Sequence, residues 1–390
     1  MDDTYDVIII GAGSSGSYLA AQLAHMSYRV LVLEQKSAAG QDVCCTGIIG
    51  AEAYQSLFLE ATIYRKARSA KFFAPSGDFL RLERDETQAY IIDRSSLDIN
   101  LYQRAEGAGA EYRFNTGAKV VTPAEKNISV RAESEGGRLE FTAQVVVLAC
   151  GLTCRFPQEL GMGNIANFAY GTQAGVTLNN IDEVEVYFDQ ERYPDFFGWL
   201  VPTTEGHGLA GLITDEKPVE YLNDMLAHLE EQGKIAPGAH HACVGLIPFA
   251  ALPESCNNRV IALGDAAGQV KPTTGGGIYY GMLSAQIAAQ TLHQAFSESD
   301  FSAGMLSFYD DGWHRRLDDE LKSGYRSRRL YHKLKNKHLD RWLQAARKQD
   351  LPRQVAEGQD FSFDWHSPVA MKIVKGLSLS PIELIRMMRD

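Results

Sequence analysis

The sequence predicts an α/β protein, and three observations carry the prediction. A β-branched run from Tyr5 to Ile10 leads into the glycines between Gly11 and Gly16, a helix-like stretch Ser17–His25 and a second buried-strand pattern, Arg29–Leu33. Together they read as a βαβ unit. From about Asn164 to Cys256 the pattern changes to longer alternating runs, such as Glu183–Phe188 and Gly208–Ile213, broken by Pro194, Pro202 and Pro218. Buried-strand character returns at Val260–Leu263, ahead of three consecutive glycines and a helical pattern to about Gln294. A sheet-rich insertion within a Rossmann-type domain accounts for that order. The expected boundaries are 1–163 with 257–298 for the first domain, 164–256 for an inserted α+β domain and 299–390 for a helical C-terminal region.

The remaining elements follow the same logic. A hairpin is expected over Ala70–Leu82 with Ser76 and Gly77 at its turn, a helix over Ser95–Gly107, short strands over Lys119–Val146 and a buried run over Val145–Ala149.

Composition sets the bounds. A chain of 390 residues, 45% hydrophobic and 22% charged, is globular and long enough for about two or three domains. Its net charge of -11 argues against a nucleic-acid binder, which needs a clustered basic excess. The charge is uneven, with 12 Lys and Arg against 4 Asp and Glu between Trp313 and Lys348. Such a segment suits a solvated helical face, an anionic membrane surface or an acidic redox partner such as a ferredoxin. A weaker sign of membrane contact is the mixture of Met371, Ile373, Val374, Leu377, Ile385, Met387 and Met388 with Lys372, Lys375, Arg386 and Arg389, apolar residues that ordinary core packing explains equally well.

The N-terminus carries acids where a signal peptide needs positive charge, and no window of about 20 apolar residues occurs. A cytoplasmic protein is expected, with peripheral membrane contact left open. Six cysteines are too few for a disulfide framework, and the adjacent Cys44 and Cys45 are poorly placed to bridge each other, so reduced thiols are expected. Cys150 and Cys154 lack a second pair of ligands, so no metal site is expected.

Two motifs carry chemistry. Gly11, Gly13 and Gly16 form GxGxxG between a strand and a helix. The first glycine permits the tight turn, the second lets the backbone approach a pyrophosphate, and the third lets helix and strand pack closely. Glu34 ends the next strand, where a carboxylate accepts hydrogen bonds from a ribose diol. The second motif runs from Val260 to Met282: strand, Asp265, small residues, Pro272, then Gly275, Gly276 and Gly277 opening a helix. It forms a second loop for an extended cofactor, with Asp265 placed for ribityl hydroxyls. Arg94 follows Asp93 ahead of the helix pattern and completes an ordered set.

With these residues the chain resembles the geranylgeranyl reductase family of FAD-dependent oxidoreductases, within the superfamily of aromatic hydroxylases and flavin halogenases. The resemblance is strong over about residues 5–165 and 255–295 and weak elsewhere. Hydroxylases commonly end the second motif in histidine, whereas here it reads Gly264, Asp265, Ala266, Ala267, Gly268, the form typical of the reductases. The family's Cys-x-Gly segment beside the flavin looks like Cys45, Thr46 and Gly47, and its Tyr-x-Trp-x-Phe-Pro signature appears loosely as Phe197, Trp199, Val201 and Pro202.

The resemblance implies FAD held by Gly11, Gly13, Ser15, Gly16, Glu34, Gln35, Cys45, Gly47, Arg94, Val120, Gly264, Asp265, Gly275, Gly276, Gly277 and Ile278. It implies reduction of carbon-carbon double bonds in a prenyl lipid or prenyl diphosphate, with NADPH or reduced ferredoxin as electron donor. Phe197, Trp199 and Pro202 would wall the prenyl chain, and Cys45 and Cys44 are the candidate catalytic thiols. Two departures matter. Cys150 and Gly151 stand where hydroxylases usually have Asp-Gly, which counts against the usual hydroxylase use of NADPH, and Phe197 replaces the signature tyrosine and its hydroxyl. A flavin monooxygenase or halogenase acting on an aromatic or apolar small molecule is the alternative that these residues leave open.

Overall fold

In the computed structural model, which describes residues 4–358 and 362–365, the β-branched run forms the strand Thr4–Ile10 and the glycines open the helix Ser14–His25. An unbroken run of Val and Ile suits a parallel strand covered on both faces. Ile8 pairs in parallel register with Leu31 on one side and Val146 on the other. The sheet runs Cys256–Asn257, Val260–Ala262, Gly137–Leu148, Thr4–Ile10, Val30–Leu33, Glu111–Arg113. Two antiparallel strands, Ile128–Ser134 and Gly117–Pro123, extend from the Gly137–Leu148 strand. The helix Ser14–His25 packs against both Arg94–Gly107 and Ile278–Glu298.

The chain divides into two units. Among the described residues, the first takes those up to Val43, Arg94–Phe168 and Ile247–Leu321, and the second takes Cys44–Asp93, Ala169–Leu246 and those from Lys322 onward. The second unit is built on a seven-stranded sheet in the order Cys243–Pro248, Phe168–Thr177, His207–Thr214, Gly198–Pro202, Val184–Tyr187, Ser69–Phe73, Phe79–Glu83. The helix Pro218–Glu231 covers one face of it, seating Leu222, Met225, Leu226 and Leu229 against Ala174, Leu200, Ala210 and Leu212. A small sheet of Ile48–Gly50, Ala89–Ile92 and Ile63–Ala67 completes it.

This division corrects the expected boundaries in two places. Residues 44–93 belong with the inserted sheet, because Ser69–Phe73 pairs in parallel with Val184–Tyr187, a non-local match that leaves no trace in local periodicity. The expected helical C-terminal region divides between the units, with the helix Ala303–Tyr331 in the first as far as Leu321 and in the second from Lys322. Asn336–Lys348 and Leu351–Glu357 both pack on the strand Phe79–Glu83. The expected hairpin is present as Ser69–Phe73 and Phe79–Glu83, with Gly77 at φ +86° in its turn. The stretch containing Met371, Ile373, Val374 and Leu377 lies outside the described residues. Among the described residues no helix is long and apolar enough to cross a membrane.

The expectation of reduced thiols is also corrected. Cys44 is bonded to Cys243 and Cys150 to Cys154, with Cα separations of 5.8 and 6.0 Å. Adjacency argues only against a bond between Cys44 and Cys45, and the fold instead brings in Cys243 from a distant strand. Cys45 and Cys256 keep their thiols. Titration with a thiol reagent under denaturing conditions is expected to find two thiols before reduction and all six afterwards; six without reductant would show that the pairs do not form.

Candidate cofactor cradle and apolar face

The first motif folds into a site with no room for side chains where the backbone must close and open backbone where a ligand must lie. Gly11 takes φ +110°, and a Cβ there would overlap the carbonyl oxygen of Ala149. A Cβ at Gly16 would overlap the carbonyl oxygen of Gly11. Gly13, by contrast, has nothing within 4 Å of its Cβ position and caps the helix Ser14–His25 in extended conformation. An exposed backbone at a helix N-terminus favours a phosphate. Glu34 is fixed nearby: Oε2 accepts the Ala12 N–H and Oε1 the Lys36 N–H, each at 2.9 Å. Each carboxylate oxygen has a further lone pair for a ribose diol. Gln35 is exposed beside Gly117, and Val120 is half-buried on the neighbouring strand. Ser15 sits in the first turn of the helix Ser14–His25. Its hydroxyl packs against Gly264 and Gly281, so it helps seat the helix Ile278–Glu298 rather than facing open space.

The second motif lies in the same unit. Asp265 sits in a short 3-10 turn, Gly264–Ala267, and its Oδ1 is 2.8 Å from where a Cβ on Gly277 would fall. Gly275 takes φ +72° and donates to the Lys271 carbonyl at 2.9 Å, while the Lys271 N–H donates to the Gly276 carbonyl at 3.1 Å. That closed loop presents Gly275, Gly276 and Gly277 just ahead of Ile278, the first residue of the helix. Burial pushes the Asp265 carboxyl up to about 6 despite the opposing field of Arg94. Arg94 pairs with Asp98 one helical turn on, at 2.6 Å with both side chains buried. Burial raises Asp98 as well, against the pull of Arg94. The open backbone at Gly13, the acceptor Glu34 and the Asp265–glycine loop fit an extended dinucleotide with hydroxyls to bond, as FAD has.

The raised carboxyl makes a pH prediction for the apoprotein. Between pH of roughly 4 and 6 the unfolded chain has lost a proton that folded Asp265 keeps, so this group costs stability as pH rises through that window. The full cost above it is about 1–3 kcal/mol. Asp265→Asn apoprotein should therefore gain thermal stability over the parent between pH 4 and 7 while losing affinity for FAD; parallel melting curves at all pH values would contradict this.

In the second unit, the sheet face opposite the helix Pro218–Glu231 carries a row of register partners: Phe72, Val186, Trp199, Gly211 and Gln173. The Trp199 indole lies across Gly211, where a Cβ would be 2.5 Å from Trp199 Cζ2 and 2.7 Å from Gln173 Cβ. Phe197 joins Trp199 at 6.1 Å between ring centroids, and Phe188 joins Phe197 at 6.2 Å. Pro202 does not join this face. Strand alternation puts it with Leu200 on the helix side, where it is buried. At the far end of the row Thr46 donates to Gln173 Oε1 at 2.9 Å, tying the Cys45–Gly47 segment to the sheet. Gly47 takes φ +73° and receives the Ile92 N–H on its carbonyl at 2.9 Å. Cys45 is half-buried with a free thiol, whereas Cys44 is held by Cys243 and offers none.

Gln173, Gly211, Gly281 and Cys243 were not among the expected functional residues. Only pairing and packing single them out, and neither has a local signature in sequence.

The chain is 27% identical over 370 residues to digeranylgeranylglycerophospholipid reductase 2 of Methanopyrus kandleri, covering 90% of this chain and 92% of that one. It is 26% identical over 356 residues to digeranylgeranylglycerophospholipid reductase of Methanocaldococcus jannaschii, covering 88% and 91%. The crystal structure of a geranylgeranyl bacteriochlorophyll reductase-like protein from Thermoplasma acidophilum superposes with a TM-score of 0.85 at 19% identity, over 99% of each chain. The resemblance read from the motifs is thus borne out in these relatives. The family model described as lycopene cyclase protein matches residues 6–348, and the chain belongs to that family.

Proposed function

We propose that this protein is an FAD-dependent reductase that saturates carbon-carbon double bonds of a polyprenyl group carried by a lipid or a prenyl diphosphate. The observation that carries the reading is the apolar row ending at the Thr46–Gln173 bond, which supplies a long hydrophobic bed leading to a half-buried thiol. Relatives named for reduction of a digeranylgeranyl lipid support the substrate class.

Bound FAD would supply a hydride to one alkene carbon, with electrons drawn from NADPH or a reduced ferredoxin. The chain's own residues do the rest. Gly13 and Glu34 hold the dinucleotide, and Arg94 and Asp265 orient its ribityl end. Trp199, Phe197 and Phe72 bind the prenyl chain through dispersion and exclude water. Gly211 keeps Trp199 flat, so that the bed is open along its length. Cys45 gives its thiol proton to the second alkene carbon, and the Thr46–Gln173 bond fixes the segment that carries it. The cytoplasmic, membrane-peripheral setting belongs to the same proposal.

Anaerobic incubation of dithionite-reduced protein with a digeranylgeranyl lipid and with geranylgeranyl diphosphate should give product mass gains of about two units per double bond. Cys45→Ser should slow saturation by roughly 100-fold while keeping its FAD. No mass gain, with flavin reoxidation only after oxygen is admitted, would overturn the reading.

A further inference from the structure

Between Lys322 and Lys348 the chain carries ten Lys and Arg and a single acid, Asp340, in a protein whose net charge is -11. The structure sorts these cations. Arg328 turns inward, 3.1 Å from Asp215 and with its guanidinium 4.3 Å over the Phe196 ring, so it belongs to the interior of the second unit. Lys322, Arg326, Arg329 and Lys333 are exposed at spacings of four, three and four residues, which lines them along one side of the helix Ala303–Tyr331 and the turn after it. Lys337, Arg341 and Lys348 are exposed at the same phase on Asn336–Lys348, with exposed Gln344 between them. The opposite side of that second helix is spent on packing, through Leu343 and Ala346 against Ala74 and Leu80. Asp340 is likewise drawn away, accepting the Ser76 backbone N–H at 3.0 Å.

We infer that these two basic stripes seat the second unit on the anionic headgroups of a lipid bilayer. The inference rests on the proposed function, which requires access to a lipid-borne prenyl chain. A protein partner is normally gripped by a few buried apolar or aromatic anchors. From Lys322 to Lys348 no large hydrophobic residue is prominently exposed. Repeated cations without anchors or interleaved acids match a fluid anionic surface, which meets each charge independently.

Cosedimentation of the FAD-loaded full chain with vesicles provides the test. Binding is expected to phosphatidylcholine vesicles doped with phosphatidylglycerol, to weaken as salt rises and to be absent with phosphatidylcholine alone. Each cation near such a surface is worth roughly fivefold in partitioning. The double reversal Arg326→Glu and Arg341→Glu should therefore lose more than about 25-fold in vesicle binding, with FAD content and turnover of detergent-dispersed substrate unchanged. If the reversal lowers FAD content, Lys333→Gln with Lys348→Gln, which only removes charge, should lose roughly 25-fold. Equal binding to both vesicle types, or anionic-vesicle binding that survives these substitutions, overturns the inference. Loss of ferredoxin-driven turnover with vesicle binding intact would overturn it in favour of a protein partner. Failure of the parent to saturate detergent-dispersed substrate would instead overturn the functional proposal and leave the vesicle result to stand on its own.

Discussion

The first unit depends on one close approach, that of the Gly11–Gly16 turn to the end of the Gly137–Leu148 strand. Main chain meets main chain there: Gly11 against the Ala149 carbonyl, and Gly16 against both Gly11 and the Ala149 side chain. A side chain at either glycine would push the helix Ser14–His25 off the sheet. Its N-terminus would then no longer stand over the strand ends, and the Ala12 N–H that fixes Glu34 would move with it. Gly281 repeats the device where the helix Ile278–Glu298 receives Ser15, so three elements distant in sequence are locked around one small-residue contact.

The second unit solves a different problem. Its sheet has an apolar core on the side of the helix Pro218–Glu231, while the opposite face keeps Phe72, Trp199 and Phe197 only half-buried. Within that apolar row sits a buried polar side chain, Gln173. Burying an amide costs free energy unless it is bonded, and the Thr46 hydroxyl meets that need on its carbonyl oxygen. The same bond holds the neighbouring Cys45 in place, so one interaction both satisfies the sheet and positions the thiol.

Much of this was legible in the residues. The βαβ unit, Glu34 at its strand end, the Asp265–Gly277 loop and Arg94 all depend on local spacing, which sequence preserves, and the structure places each within the first unit. The i,i+4 relation of Arg94 and Asp98 was equally open to reading. What escaped was non-local. The parallel pairing of Ser69–Phe73 with Val184–Tyr187 moved a domain boundary, and Cys243 reached Cys44 across 199 residues. Pro202 was misplaced for a simpler reason, since a signature read as a string ignores strand alternation, which turns every second residue away.

The most direct measurement is a fluorescence titration of apoprotein with FAD and with FMN, in the parent and in Glu34→Gln. On the proposed reading, Glu34 and the open backbone at Gly13 would hold the adenosine half of FAD. FAD should therefore bind at least about 100-fold more tightly than FMN, a margin of about 2.7 kcal/mol, and Glu34→Gln should remove most of that difference. Equal affinities for the two flavins, or a preference that survives the substitution, would contradict a dinucleotide site at this turn.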